Sequence, residues 1–168
     1  LAERLGAEVS YFEWIDDFFF FFYFALGQAR GDLILTLDAD EYPAPGTPEK
    51  LRSILEQAEA KGADGVFGEI LELNDKGEVT TCSSRIRLFR NTPKIRYRRR
   101  IHEQLGFSDG RDMRLADAGE ELAFFHDGYA GEAHAGKQRS RRNLLLLEKE
   151  LAERPDDHEI MGYLGDEH

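Results

Sequence analysis

Between Leu33 and Leu37 the chain reads LILTL, one polar position among five, and runs straight into Asp-Ala-Asp-Glu at 38 to 41. A continuous apolar run of this length predicts a strand covered on both faces in a parallel sheet, with its carboxyl end at Asp38. Upstream, a helix tail closes near Gly6, Glu8 to Trp14 reads as a short strand, and Phe18 to Ala29 as a helix ended by Gly31. Downstream, Thr47 is placed to cap a helix with Pro48 in its first turn. Leu51, Ile54, Leu55 and Ala58 recur at helical spacing as one apolar stripe. Asp64 to Leu73, Val79 to Thr81, Arg85 to Phe89 and Lys94 to Leu105 alternate as strands do, with NDKG at 74 to 77 as a turn. After a polar loop, Leu122 to Phe125 predicts a strand ending at His126. A long helix follows from about Gly136 to Glu153 and is stopped by Pro155, and Pro-Asp-Asp at 155 to 157 opens a further helix.

Composition narrows the classes this pattern can serve. The chain has 168 residues, enough for one domain with a real core and too few for two full ones. Acidic residues outnumber basic ones 33 to 22, for a net charge of −11, so the overall field opposes nonspecific attraction to nucleic acid. Cys82 is alone and forms no internal disulfide, which fits a reducing, cytoplasmic location. The longest strongly apolar run, Phe18 to Leu26, is well short of the roughly 20 residues of a membrane-spanning helix. No basic segment precedes an apolar one as in a signal peptide, and Leu1 falls in mid-helix, so the natural amino terminus is expected upstream.

Asp38 and Asp40 fall on the same side of the chain just beyond the carboxyl edge of a strand, where α/β sheets take their ligands. Two carboxylates there suit a shared Mg²⁺ or Mn²⁺ whose shell is completed by substrate phosphates and water, and they equally suit a solvated turn. The order of several segments extends this reading: GAEVSYFEWIDDF, FALGQARGDLILTLDADEY, RIRLFRN, IRYRRRIHEQL, FHDGY and KQRSRRNLLLLEKELAERPDD. Taken together they resemble bacterial family-2 glycosyltransferases with helical-repeat tails, and RPDDHEIMGYLG resembles the first helix of a helical-hairpin repeat.

The resemblance implies an α/β architecture, an incomplete GT-A (Rossmann-like) mixed sheet with flanking helices and a helical carboxyl-terminal tail. The transferase part is expected over residues 1–135 and the tail over 136–168. It further implies a nucleotide-sugar donor, a UDP-sugar being one choice, a glycan, lipid or peptide acceptor, a Mg²⁺ or Mn²⁺ ion, and inversion at the anomeric carbon. Asp40 is implied as the direct metal ligand, Asp38 as a group near the ribose or the metal's water shell, and His126 as a further metal or diphosphate ligand. An inverting transfer needs a group to take the acceptor's proton, and Glu103, beside His102 in RIHEQL, is the candidate. Lys137, Arg141 and Arg142 are candidates for phosphate contact.

Two departures from the family pattern stand out. Its first two strands, which hold the nucleotide base, are not in this sequence, so donor binding by this chain alone is expected to be weak. Where the family has a Ser, a variable pair and then Arg-Asn before FAL, this chain has the five aromatics Phe19 to Tyr23, with Phe22 and Tyr23 at the Arg-Asn positions. Successive residues on a helix turn by about 100°, so five aromatics in a row cannot all face a core. Some meet solvent, a partner or a substrate, and self-association through Phe18 to Phe22 is expected. In IRYRRRIHE, period-two alternation puts Arg96, Arg98, Arg100 and His102 on one face and Ile95, Tyr97 and Ile101 on the other. That cationic face suits an anionic acceptor, the donor diphosphate or the inner membrane surface, and equally a solvated strand edge. Two other classes use the same residues: a noncatalytic binding or assembly module, and a metal-dependent phosphoesterase.

Overall fold

GVFGEILEL, at 65 to 73, forms the strand on which the larger sheet is built. The computed structural model describes the backbone of residues 2–15, 17–127 and 133–167, and the side chains of these except 133–139 and 167. In chain order the strands are β1 (Leu33–Leu35), β2 (Glu41–Pro43), β3 (Gly65–Leu73), β4 (Val79–Arg90), β5 (Ile95–Arg98), β6 (Gln104–Phe107), β7 (Leu115–Asp117) and β8 (Ala123–His126). The α-helices are α1 (Phe18–Gln28), α2 (Thr47–Ala60), α3 (Ala133–Glu153) and α4 (His158–Glu167). The chain divides into two compact units. One comprises Leu1–Gln28, Tyr97–Gln104 and Ser140–His168, the other Ala29–Arg96 and Leu105–Arg139.

In the second unit the sheet runs β1-β4-β3-β8-β2, with β7 also on β3. β3 pairs antiparallel with β4 on one side and parallel with β7 and then β8 on the other. The sheet is therefore mixed. β1 pairs antiparallel with β4 rather than entering the parallel sheet its apolar run suggests, because burial of both faces says nothing about strand direction. The alternating segments expected at 79–81 and 85–89 join into one strand, while the turn before them forms as expected: Asn74 Oδ1 accepts from the backbone N–H of Lys76 and of Glu78, and Gly77 takes φ of 75°.

α2 lays its stripe of Ile54, Leu55 and Ala58 on Val66, Ile70, Leu88, Leu122 and Phe124, the core of this unit. Thr47 does not cap it. Gly46 occupies the cap position and the Thr47 hydroxyl donates to the Ala123 carbonyl, 3.3 Å away. The path from β7 to β8 along β3 depends on Gly68. A Cβ there would stand 2.9 Å from the Leu122 carbonyl oxygen and 3.1 Å from the Phe124 ring. Gly68→Ala is expected to cost about 1–3 kcal/mol, the usual range for overpacking against atoms that cannot yield. A urea midpoint unchanged by the substitution would show that β8 shifts freely.

Asp64, at the start of the same strand path, gives this unit an acid-sensitive tie. Burial would raise its carboxyl, but the Arg114 backbone N–H at 2.9 Å and the Arg111 guanidinium hold it below the usual aspartate value. A carboxyl lowered in the folded state contributes stability above its unfolded value, about 3.9, and loses it as pH falls through the folded one. Asp64→Asn is expected to lower stability at pH 7 and to flatten its decline below about pH 4. Parallel stability profiles for the two proteins would remove the tie.

The first unit has a helical core of Ile101, Leu146, Leu147 and Ile160, with Phe18, Leu151, Tyr163 and Leu164 packed against it. Glu8 to Trp14, expected as a strand, takes no regular structure. α1 forms where expected, and the aromatic run divides: Phe18, Phe19 and Phe22 are half-buried, Phe20, Phe21 and Tyr23 exposed. Asp17 fixes its start, accepting the Phe19 N–H at 2.9 Å.

Candidate functional site

β8 carries His126 to its end, between strands that flank it with acidic residues. Glu72 of β3 is its partner in parallel register and Glu41 of β2 its partner in antiparallel register. The imidazole Nδ1 lies 2.6 Å from Glu72 Oε2, and Nε2 lies 3.3 Å from Asp40 Oδ2. Burial alone would lower His126, but the hydrogen bonds and charges of Glu72 and Asp40 outweigh it and hold the ring above its ordinary value.

The acidic turn is pinned by a pairing that sequence pattern did not show. Glu41 and Arg87 form an ion pair with both side chains almost fully buried. The other Glu41 oxygen accepts the Asp38 N–H at 2.9 Å, and Arg87 Nη1 donates to the Thr36 carbonyl at 3.3 Å. Asp40 is held from the far side, its carbonyl accepting the Asp127 N–H. The strand end thus presents Asp38 to solvent and sets the half-exposed Asp40 carboxylate beside His126. Among the described residues, no group of three or more His, Cys, Asp or Glu is placed to enclose a metal ion.

Glu103 and His102 belong to the first unit, in the turn between β5 and β6. Alternation stops at Arg98, so the single cationic face expected over 96 to 102 does not form. Arg99 and His102 instead take positive φ, 72° and 53°, each at a cost of roughly 1–3 kcal/mol that neighbouring contacts must offset. For Arg99 and its neighbour Arg100 those contacts are carboxylates. Arg99 pairs with Asp157 and Glu159, and Arg100 with Asp17 and Glu153. Glu150, fully buried on the apolar face of α3, accepts the Arg100 backbone N–H at 3.0 Å. His102 stacks on Tyr163 with centroids 4.0 Å apart and planes at 12°. The half-buried Glu103 sits in this clamped turn. A carboxylate among the leucines of α3 was the one signal in sequence for the clamp.

Elsewhere in this unit, Arg141 is exposed on α3, and Arg142 lies over the Phe18 ring, 4.9 Å from its centroid. The Lys137 side chain lies outside the described residues. In the second unit, Arg90 is bound by Glu59 and Arg96 donates to the Thr92 and Ile95 carbonyls, so both are engaged within the fold.

Residues 22–111 match the model of glycosyl transferase family 2. The chain belongs to that family, and its mixed sheet with flanking helices is a partial GT-A, Rossmann-like fold. It is 32% identical over 170 residues to a "TPR repeat-containing protein" of Synechococcus elongatus, a match covering 98% of this chain and 41% of the relative. It is 23% identical over 163 residues to the glycosyltransferase SunS of Bacillus subtilis, covering 95% of this chain and 37% of that one. A glycosyltransferase SunS of Bacillus phage SPbeta matches equally. The chain thus spans about two-fifths of the length of these relatives. Among the described residues, no helix is long and apolar enough to cross a membrane.

Proposed function

We propose that this chain takes part in moving a sugar from a nucleotide-sugar donor to an acceptor, with inversion at the anomeric carbon and with help from Mg²⁺ or Mn²⁺. The observation that carries the reading is the convergence of Asp40 Oδ2 and His126 Nε2, 3.3 Å apart at the sheet's end within or beside the family-matched segment. One carboxylate and one imidazole fit a cation that draws its remaining ligands from diphosphate and water rather than from a protein cage. When bound, such an ion supplies positive charge to the departing nucleoside diphosphate. Asp40 and His126 would hold it, and Asp38 would serve the ribose or the ion's water shell. Lys137 and Arg141 would meet phosphate oxygens.

Glu103 would take the acceptor hydroxyl's proton as its oxygen attacks, with His102 beside it; the strain at Arg99 and His102 supports a turn held for a purpose. This reading keeps a transferase domain over 1–135 and a helical tail over 136–168. The test is titration of the protein with UDP-sugars with and without Mn²⁺: cation-dependent binding supports the reading, and equal affinity without the cation counts against it. Release of free nucleoside monophosphate instead of transfer would point to phosphoester hydrolysis.

A second reading, a noncatalytic binding or assembly module, is favoured by one observation. Phe22 and Tyr23 stand where the family's Arg-Asn is expected, and Phe22 packs on Tyr97, with centroids 4.4 Å apart, rather than meeting phosphate. Phe20, Phe21 and Tyr23 remain 47%, 41% and 54% exposed. Sedimentation of dilute protein is expected to show dimers or larger species, and the Phe20→Ser, Phe21→Ser double variant is expected to return it to monomer. A wild-type monomer would remove the self-association proposal.

A further inference from the structure

We propose that Glu72 is a positioning residue for His126: it holds the imidazole proton on Nδ1 and thereby turns the Nε2 lone pair toward the side where Asp40 stands. The inference rests on the metal reading above and deepens it. Parallel pairing of β3 with β8 sets Glu72 directly beside His126, and the Glu72 Oε2 to Nδ1 distance of 2.6 Å is the shorter of the ring's two carboxylate contacts. An ionised carboxylate only accepts hydrogen bonds, so a neutral imidazole so close to it carries its proton on the facing nitrogen. The two carboxylates also differ in surroundings. The Glu72 side chain is 20% exposed, and that of Asp40 is 46% exposed. Glu72 is thus enclosed beside the ring, while Asp40 reaches solvent and can turn to an incoming cation. A ligating histidine whose second nitrogen donates to a carboxylate has its tautomer and orientation fixed and its basicity raised.

A merely structural Glu72 would tie β3 to β8 and leave metal affinity alone. The test therefore reads the tautomer and the affinity separately, in the full-length protein. With ¹⁵N-labelled histidine, at a pH where His126 is neutral and without metal, the wild type is expected to show Nδ1–H and an imine-type Nε2. Glu72→Ala is expected to move the proton to a mixture of both nitrogens, with Glu72→Gln in between. Mn²⁺ affinity in the presence of UDP, read by electron paramagnetic resonance, is expected to fall about 10- to 100-fold in Glu72→Ala, as loss of an outer partner does. Glu72→Gln is the variant to read if Glu72→Ala loses its circular-dichroism signature. A wild-type Nε2–H tautomer, or a tautomer unmoved by both variants, overturns the proposal whatever the metal does. A moved tautomer with Mn²⁺ affinity lost in His126→Ala but kept in the Glu72 variants also overturns it. If His126→Ala keeps its Mn²⁺ affinity too, the metal reading of His126 fails, and the role of Glu72 fails with it.

Discussion

Asp40→Asn is expected to weaken Mn²⁺-dependent donor binding by about 100-fold or more while leaving the fold intact. Losing an outer partner of a metal ligand typically costs 10- to 100-fold in affinity, and a direct carboxylate ligand should cost at least the upper end of that range. Apart from the Asp40 contact with His126, the turn keeps its ties. The Asp40 side chain is 46% exposed and its backbone carbonyl, which receives the Asp127 N–H, is retained. The turn is pinned independently by Glu41 and Arg87. An amide keeps the shape and removes the charge that would hold a cation against two phosphates. Isothermal titration with a UDP-sugar in Mn²⁺ and then in chelator separates the effects. A variant that binds donor like the wild type in Mn²⁺ would remove Asp40 as a ligand.

Glu103→Gln is expected to slow transfer about 10²- to 10⁴-fold with donor affinity unchanged, the range by which a positioned base accelerates proton removal. Glu103 is half-buried in a turn whose neighbours are locked by Glu150, Asp17, Asp157 and Glu159, so an isosteric amide should stay in place. The loss should fall on kcat, since proton transfer belongs to the transition state rather than to donor binding. Equal losses in donor affinity and turnover would make Glu103 a positioning group. Because the acceptor is undefined, single-turnover donor cleavage in the presence of extracts containing candidate acceptors is the practical readout.

Local pattern carried some features of this molecule and long-range pairing decided others. The α2 stripe, the Asn74 turn and the strand ending at His126 follow from spacing within a few residues, and all three formed. The partners of His126 and Glu41 do not. Glu72 lies 54 residues from His126 and Arg87 lies 46 from Glu41, so each pair exists only once the register of β3, β8, β2 and β4 is set. Strand direction was equally hidden: LILTL reports coverage, not whether its neighbour runs parallel, and β4 runs opposite to β1. The basic stretch misled because its charges are met by residues far along the chain: the strand ends at Arg98, and Arg99 and Arg100 pair with acidic side chains on and around the helices.

The most direct measurement is paramagnetic broadening of the protein's amide resonances by Mn²⁺ added with UDP. Broadening is expected to centre on Asp38, Asp40, Glu41, His126 and Asp127, to reach Glu72, and to vanish in Asp40→Asn. Broadening centred elsewhere, on the carboxylates of Asp64 or Glu120 for example, or none at all, would contradict a cation and diphosphate site at this sheet end.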